Sequence, residues 1–271
     1  MKYTIGCIGC GNMGGALVRA LAKIAEKGTL AVCDKHIEKT ARLADECGAV
    51  VTDATDIAKH AKYVMIGVKP QVFFDTLDSI KAALAENPDV ILISMAAAIS
   101  IDAIEKALTG AWGVESGTGI IRMMPNTPVS LGEGVIQFAC RNVSDMDKAE
   151  FCRLFAKAGL VDEIPEGKID AASALSGCGP AFVYLFAEAL ADGAVACGLP
   201  RDKAIRYAAA TLVGAGKMIE ECGHLSDLKD AVCSPGGTTI QGVRALEKGG
   251  LRSSAIEAVI AAYEKTIDLQ K

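Results

Sequence analysis

The sequence has few of the residues that zinc hydrolases and serine-type acyl-transferases use. Its 271 residues include only three histidines, His36, His60 and His224, and these share no metal-ligand spacing. No Ser-His-Asp arrangement is suggested. Glu188 and Asp192 are four residues apart, a spacing that is typical of a solvated helix face. The sequence therefore shows no equipment for metal hydrolysis or acyl transfer, and we expect no bound metal.

Basic runs interleaved with aromatic side chains are also absent. Aromatic residues make up only 5% of the chain, and the formal net charge is −5. This balance gives no support to a nucleic-acid-binding surface. We therefore expect a small-molecule partner and no nucleic acid.

No basic leader precedes an apolar segment and a cleavage site, because the first predicted strand begins at Tyr3. The pattern indicates a cytoplasmic protein. The longest uncharged run, residues 171–187, is shorter than the ~20 apolar residues that span a membrane, and it contains glycine and proline. It predicts a pair of buried helices and no membrane anchor.

Ten cysteines are scattered singly through apolar segments, a distribution that predicts reduced, buried thiols rather than a disulfide framework. Cys7 and Cys10 form a C-x-x-C pair, but no second pair completes a zinc site. The redox or metal interpretation of this pair is therefore disfavoured.

The most informative motif is Gly9-x-Gly11-x-x-Gly14, which follows an apolar run and precedes a predicted helix at residues 16–25. Strand, tight turn and helix in this order form a dinucleotide site, because pyrophosphate must approach bare backbone amides and the positive end of a helix dipole. Asn12 and Met13 lie inside the turn. A glycine turn in an ordinary loop is the alternative.

Asp34 strengthens the dinucleotide interpretation. It lies twenty residues beyond Gly14, at the end of a second apolar run, residues 30–33. Dinucleotide-binding folds place a group that contacts the adenosine ribose at this position. We predict that Asp34 and the adjacent Lys35 contact the coenzyme.

Apolar runs alternate with helical patterns as far as residue 164, which predicts a doubly wound α/β sheet with buried central strands. Beyond Pro165 no convincing strand remains. Predicted helices there cover residues 169–197, 201–222, 226–233, 238–248 and 253–269. We predict two domains, residues 1–164 and 165–271. Because this helical half is so apolar, we expect part of its surface to be buried against another copy of the chain.

Three further strand ends in the sheet could contact a nicotinamide coenzyme, since ligands bind at the carboxyl edge of such sheets. Val68 is the last residue of one buried strand, predicted at residues 63–68, and Lys69 and Pro70 follow it; a solvated loop lysine is the alternative there. Ala96 and Ala97 follow the next and would let a flat ring lie against the backbone. Asn126 follows the third, between Pro125 and Pro128, where a plain rigid turn is nearly as good an interpretation.

Two motifs of the helical half carry further signals. Ser176-Gly177-Cys178-Gly179-Pro180-Ala181 interrupts a helical pattern with residues that are costly inside a helix. A bend that lets a ligand approach the backbone is one explanation, and close packing of a second helix is the other.

The second motif starts a helix with hydroxyls, glycine amides and no carboxylate, which makes it an anion-binding site. Its alternative is ordinary N-capping by Ser234 or Thr238. The predicted anion-binding residues are Ser234, Gly236, Gly237, Thr238 and Thr239.

Taken together, the motifs resemble those of the pyrroline-5-carboxylate reductase family over nearly the whole chain, and the last two are the most specific. The segments that carry the resemblance are Ile8-Gly9-Cys10-Gly11-Asn12-Met13-Gly14, Val68-Lys69-Pro70-Gln71, Met124-Pro125-Asn126-Thr127-Pro128, residues 175–181 and residues 228–240.

The resemblance implies a Rossmann-type domain followed by an all-helical domain through which subunits form homodimers, with larger assemblies up to a decamer. It implies reduction of L-1-pyrroline-5-carboxylate to L-proline by NADPH or NADH, the last step of proline biosynthesis. In the family, the segment matching residues 234–239 holds the substrate carboxylate, which favours the anion-binding interpretation. No proton donor is named.

Two departures from the family pattern concern the coenzyme. Asp34-Lys35-His36 stands where members often have an Asn-Arg-Ser-like sequence suited to a 2′-phosphate. The aspartate favours NADH whereas Lys35 and Lys39 favour NADPH, so the choice stays open. In addition, this chain has Ala96-Ala97-Ala98 where family members often have a run that ends in glycine, so Ala98 adds a methyl group near the expected nicotinamide.

Two alternative functions remain. A related imine or 3-hydroxyacid dehydrogenase should place a lysine acid in a long helix, for which Lys203 and Lys217 are the interior candidates. A non-catalytic nucleotide sensor would lack the anion-binding residues.

Overall fold

The computed structural model describes residues 1–109 and 117–269. Its chain divides into two compact units. The first is Met1–Gly177 together with the C-terminal end of the chain from Tyr263, and the second is Cys178–Ala262. The predicted domain boundary at residues 164/165 falls just after the last strand of the sheet and stays a prediction.

The first unit is built on one eight-stranded sheet in the order β3-β2-β1-β4-β5-β6-β7-β8. Its strands are β1 (Tyr3–Ile8), β2 (Leu30–Cys33), β3 (Val50–Val51), β4 (Ala61–Ile66), β5 (Ile91–Ser94), β6 (Gly119–Pro125), β7 (Gly134–Arg141) and β8 (Gly159–Glu163). Neighbouring strands are parallel except β6 and β7, which are antiparallel. The predicted Rossmann-type sheet is confirmed.

Helices cover both faces of the sheet, as the continuous apolar strands predict. On one face Val64 and Ile66 belong to a core with Leu77, and on the other Met65 belongs to a core with Leu17. The helices of this unit are α1 (Asn12–Leu21), α2 (Ile37–Cys47), α3 (Ala54–His60), α4 (Phe73–Ala85), α5 (Ile101–Thr109), α6 (Asp145–Phe155) and α7 (Ile169–Ser176).

The second unit is entirely helical among its described residues, as predicted. It contains α8 (Gly179–Ala196), α9 (Arg201–Cys222), α10 (Leu225–Ala231), α11 (Thr238–Lys248) and most of α12 (Leu251–Asp268). Only Ala191, Ala204 and Ala208 are buried in it, while large apolar side chains of α8 and α9 are exposed. Three alanines cannot supply the core that five helices need.

The expectation of a buried helix pair at residues 171–187 is wrong for the single chain. The segment forms the end of α7 and the start of α8, which a turn at Gly177 and Cys178 separates. The stretch Glu166–Ala196 has a window of mean hydropathy 1.4, of which 11% is buried. By length and composition alone it could also cross a membrane, although the turn interrupts it.

Candidate active site

The predicted coenzyme residues follow strands that end at one edge of the sheet. Because β1, β2, β4, β5 and β6 are parallel, their carboxyl ends share that edge. The predicted residues at this edge are Gly9, Gly11, Asn12, Met13, Gly14, Asp34, Lys35, Val68, Lys69, Pro70, Ala96, Ala97 and Asn126. The edge is therefore where this unit can receive a dinucleotide.

The glycine turn, residues 9–14, brings backbone segments too close together for side chains. A Cβ on Gly14 would overlap the carbonyl oxygen of Gly9, and one on Gly9 would lie 2.8 Å from the carbonyl carbon of Gly67. Gly9 also has a φ of +98°, which favours glycine. By contrast, a Cβ on Gly11 would meet no protein atom within 4 Å, so open space lies beside this residue.

Helix α1 begins at this turn with its amides free of side-chain caps. Gly11 is the N-cap residue, no side chain caps the helix, and no acidic residue lies in the first turn. Uncapped amides and the helix dipole both favour negative charge at such an end. The turn therefore has the features of a pyrophosphate-binding site.

Asp34 links this turn to the end of β2. Its Oδ2 accepts a hydrogen bond from the Cys10 amide at 2.7 Å, and its Oδ1 accepts one from the His36 amide at 2.9 Å. Six of the predicted coenzyme residues line one cavity of about 650 Å³ with His36 and Gly67. These six are Gly9, Gly11, Asp34, Lys35, Val68 and Lys69.

The thiols beside the turn are all free. A hydrogen bond with Cys10 and burial raise the pKa of Cys7, and the same hydrogen bond lowers the pKa of Cys10. Burial raises the pKa of Cys33. No group of three metal-ligating side chains occurs among residues 1–109 and 117–269.

The residues that follow β5 and β6 differ in burial and in hydrogen bonding. Ala96 is buried and Ala97 exposed, while Ala98 has a φ of +64°, a left-handed conformation that strains a residue with a Cβ. Asn126 is buried, and its amide bonds two backbone groups: Oδ1 accepts from Val135 N and Nδ2 donates to Ser176 O, both at 2.9 Å. Asn126 thus ties β6 to the C-terminal end of α7.

Sequence reasoning missed a buried ion-pair network behind this edge. Arg122 on β6 is 3% exposed and donates to Asp170 on α7 at 2.7 Å. Glu166 lies 3.4 Å from the same guanidinium and accepts from the Ile101 amide at 2.7 Å. A single arginine within the apolar run at residues 119–124 was the available signal, since a buried charge requires a partner.

A second missed contact fixes the end of α7. Gln137 on β7 donates from Nε2 to Ser176 Oγ at 2.7 Å, and Ser176 Oγ donates to Ala172 O. Ser176 is the first residue of the motif at residues 176–181 that interrupts the helical pattern, and Gly177 N donates to Ser173 O there. The end of α7 at Ser176 is therefore held by the side chains of Asn126, which follows β6, and Gln137 on β7.

The predicted anion-binding segment, residues 234–239, begins α11 in the helical unit. Gly237 is its N-cap residue, no side chain caps the helix, and no acidic residue lies in the first turn. The segment is exposed, except that Gly237 is half-buried. Because neither Ser234 nor Thr238 caps the helix, the N-capping alternative is not the arrangement found, and the first-turn amides remain available to an anion.

Comparison with known proteins identifies the family. Residues 166–269 match the family described as pyrroline-5-carboxylate reductase dimerisation, and residues 4–98 match NADP oxidoreductase, coenzyme F420-dependent. The chain is 37% identical to pyrroline-5-carboxylate reductase of Escherichia coli, with all of both chains covered. The chain belongs to the pyrroline-5-carboxylate reductase family. Pyrroline-5-carboxylate reductase 3 of Danio rerio is also 37% identical, covering 99% of this chain and 92% of that protein.

Solved structures of this family have the same fold over their full length. The pyrroline-5-carboxylate reductase of Coxiella burnetii aligns with a TM-score of 0.90 at 31% identity, covering 100% of both chains. The Plasmodium falciparum pyrroline carboxylate reductase with NADP bound aligns with a TM-score of 0.84 at 31% identity, again covering 100% of both. The predicted family, fold, NAD(P)H-dependent oxidoreductase class and nicotinamide coenzyme are confirmed, and the helical region is an oligomerisation domain.

Proposed function

We propose that this chain reduces L-1-pyrroline-5-carboxylate to L-proline with a hydride from NADPH or NADH, the last step of proline biosynthesis, and that residues 234–239 hold the substrate carboxylate. The observation that carries the site assignment is the uncapped N-terminus of α11, which has hydroxyls and bare amides but no acidic residue in its first turn. A small ring acid presents the single negative charge that such a helix end favours.

The coenzyme site is assigned to the carboxyl edge of the sheet. The amides of the glycine turn and the start of α1 would hold the pyrophosphate, and Asp34 and Lys35 would contact the adenosine ribose. Val68, Lys69 and Pro70 would contact the nicotinamide half, together with Ala96, Ala97 and Asn126. The reduced nicotinamide supplies the hydride when it is bound.

The residues of this chain act by binding and orientation. Ser234, the Gly236 and Gly237 amides, Thr238 and Thr239 fix the ring acid through its carboxylate. A hydride from the coenzyme would add to the carbon of the protonated C=N bond, and the π electrons would pass to nitrogen, which would become the secondary amine. Holding two reactants in place supplies much of the rate, and a protonated imine needs no protein acid to be electrophilic.

The exposed apolar surface of the helical unit supports assembly of this chain as a homodimer, with a decamer as the larger assembly that the family suggests. The family description of residues 166–269 as a dimerisation region points the same way. We also propose that the protein is cytoplasmic and has no membrane or nucleic-acid partner. The boundary between its two functional domains is proposed at residues 164/165.

The direct test is coenzyme oxidation with pyrroline-5-carboxylate and with no substrate, using NADH and NADPH, with reverse oxidation of 3-hydroxyisobutyrate in parallel. We expect turnover only with the cyclic imine. Turnover of the hydroxyacid would favour the related dehydrogenase, for which Lys203 and Lys217 are the candidate acids. Coenzyme binding without any turnover would favour a nucleotide sensor.

The carboxylate assignment has its own test. Thr239→Val should raise the KM for the imine by about tenfold, as expected for loss of a hydrogen bond to a charged group, while coenzyme Kd stays unchanged. Thr211→Val is the matched control, because Thr211 donates within α9 to Tyr207 O at 2.8 Å. If Thr239→Val leaves KM as it is, Thr239 does not contact the carboxylate.

A further inference from the structure

The coenzyme cavity contains one carboxylate whose position is fixed by the backbone. Asp34 accepts from the Cys10 amide through one oxygen and from the His36 amide through the other, at 2.7 and 2.9 Å. Hydrogen bonds to an ionised acceptor are among the stronger ones in proteins, so this carboxylate resists displacement. One of its two donors, Cys10, belongs to the glycine turn itself.

The carboxylate retains capacity to accept further hydrogen bonds. An ionised carboxylate has about four lone-pair sites, and the two backbone amides account for two of them. Asp34 is only partly buried and lines the cavity beside Gly9 and Gly11. Free ribose hydroxyls are donors that could use the remaining sites, whereas a 2′-phosphate offers acceptor oxygens and a charge of about −1.5 to −2.

The nearby cations do not neutralise this carboxylate. Lys35 and Lys39 are exposed, and neither forms an ion pair with Asp34 within the part of the chain that the structure describes. Exposed lysines are strongly hydrated, and salt screens them from a ligand. An acceptor that the backbone holds in place therefore stands against two exposed, hydrated cations, an arrangement that disfavours a 2′-phosphate.

We propose that Asp34 makes this chain select NADH over NADPH, by accepting from the adenosine ribose hydroxyls and repelling a 2′-phosphate. This inference depends on the proposed function in one respect, namely that the cavity holds a nicotinamide coenzyme. It separates this chain from its Plasmodium falciparum relative, whose structure was solved with NADP bound. Asp34 is thus assigned as a specificity-determining residue, acting on binding and not on the hydride transfer.

The test measures binding of the two coenzymes without imine, from the change in nicotinamide fluorescence. We expect the wild-type Kd for NADPH to exceed that for NADH by about tenfold or more, which is about 1.4 kcal/mol or more. Asp34→Ser removes the charge, and the NADPH/NADH ratio should fall to about one or invert. Asp45→Asn removes the same charge from an exposed position at the other end of α2 and should leave the ratio unchanged.

A second measurement needs no variant, in case Asp34→Ser disorders the turn that Asp34 holds. Adenosine 5′-monophosphate should displace NADH from the wild-type protein at lower concentration than adenosine 2′,5′-bisphosphate, and the difference should shrink at high salt. Equal or tighter binding of the 2′-phosphorylated compounds, or an unchanged ratio in a folded Asp34→Ser protein, would overturn the proposal. A chain that shows the predicted binding ratio but no imine reduction would refute only the proposed reaction.

Discussion

The two units of this chain bury their apolar residues to very different extents. In the first unit Leu17 and Phe151 are fully buried against the sheet, whereas in the second the only buried apolar residues among those described are three alanines. Leu185 on α8 is 68% exposed, and Tyr184 and Val213 are exposed as well. The first unit can therefore supply its own stability, whereas the second leaves apolar surface exposed that the proposed homodimer would cover.

This difference bears on how the chemistry is supported. The predicted coenzyme residues lie in the self-sufficient unit, and the predicted carboxylate-binding residues lie in the dependent one. Substitutions in the first unit should therefore act on stability at any protein concentration. Substitutions on the exposed helix faces should act through association, and their effects should depend on concentration.

The largest effect is expected from the buried ion-pair network of the first unit. Arg122→Leu should lower the free energy of unfolding by about 3–5 kcal/mol, because the buried Asp170 loses the guanidinium beside it. Arg19→Leu is the control, since Arg19 pairs with Glu46 at 2.7 Å on the surface and its loss should cost about 1 kcal/mol or less. Urea unfolding of both variants measures the difference, and equal losses would show that the network does not stabilise the unit.

The next prediction compares the same substitution in both units. Leu17→Ala should cost about 2–5 kcal/mol, because it leaves a cavity in a packed core. Leu185→Ala should cost about 0.5 kcal/mol or less in dilute protein, since the side chain is exposed in the single chain. It should instead weaken self-association, which sedimentation over a concentration series detects. A large, concentration-independent cost for Leu185→Ala would refute the contrast between the units.

The sheet was predictable because its strands are continuous apolar runs, but several boundaries were not. Helix α1 begins at Asn12 and not at Ala16, since the glycine turn also forms its first turn. Strand β4 ends at Ile66 and not at Val68, at the point where Gly67 comes so close to the glycine turn that a Cβ on it would lie 2.5 Å from Gly9 O. Both shifts arise where two segments distant in sequence meet, which no local pattern records.

The local geometry of the candidate site was predictable where one segment carries the whole signal. The uncapped starts of α1 and α11 follow from glycines and missing acids within a few residues. The contacts that position the bend after α7 were not predictable, since Gln137 and Ser176 are 39 residues apart. Of the two side chains that hydrogen-bond to Ser176, the sequence pattern indicated only Asn126. Its position between two prolines did not indicate that its side chain bonds to backbone groups.

Asn126 offers a test of the first unit that separates stability from coenzyme binding. Asn126→Ala should cost about 1–3 kcal/mol, because Val135 N and Ser176 O lose their partner. If Asn126 also contacts the coenzyme, NADH Kd should rise as well. Asn87→Ala is the matched control, since Asn87 is buried, donates to Ala58 O and Ala61 O, and lies before β5 at the opposite edge. A stability loss with unchanged Kd would remove Asn126 from the coenzyme contacts.

The smallest effect on the free energy of unfolding is expected from a surface ion pair of the first unit. Lys62 lies 2.6 Å from Asp147, and this hydrogen bond, with one from Ser144, lowers the pKa of Asp147. A lowered carboxyl pKa stabilises the fold above the ordinary aspartate pKa, and the contribution disappears as the pH falls through the lowered value. Lys62→Met should therefore cost about 1 kcal/mol or less at pH 7 and progressively less below about pH 4, whereas Lys62→Arg should retain the wild-type profile. Urea unfolding across that range measures it, and a cost that does not change with pH would mean that Lys62 stabilises the unit by packing on Tyr63 and not by its charge.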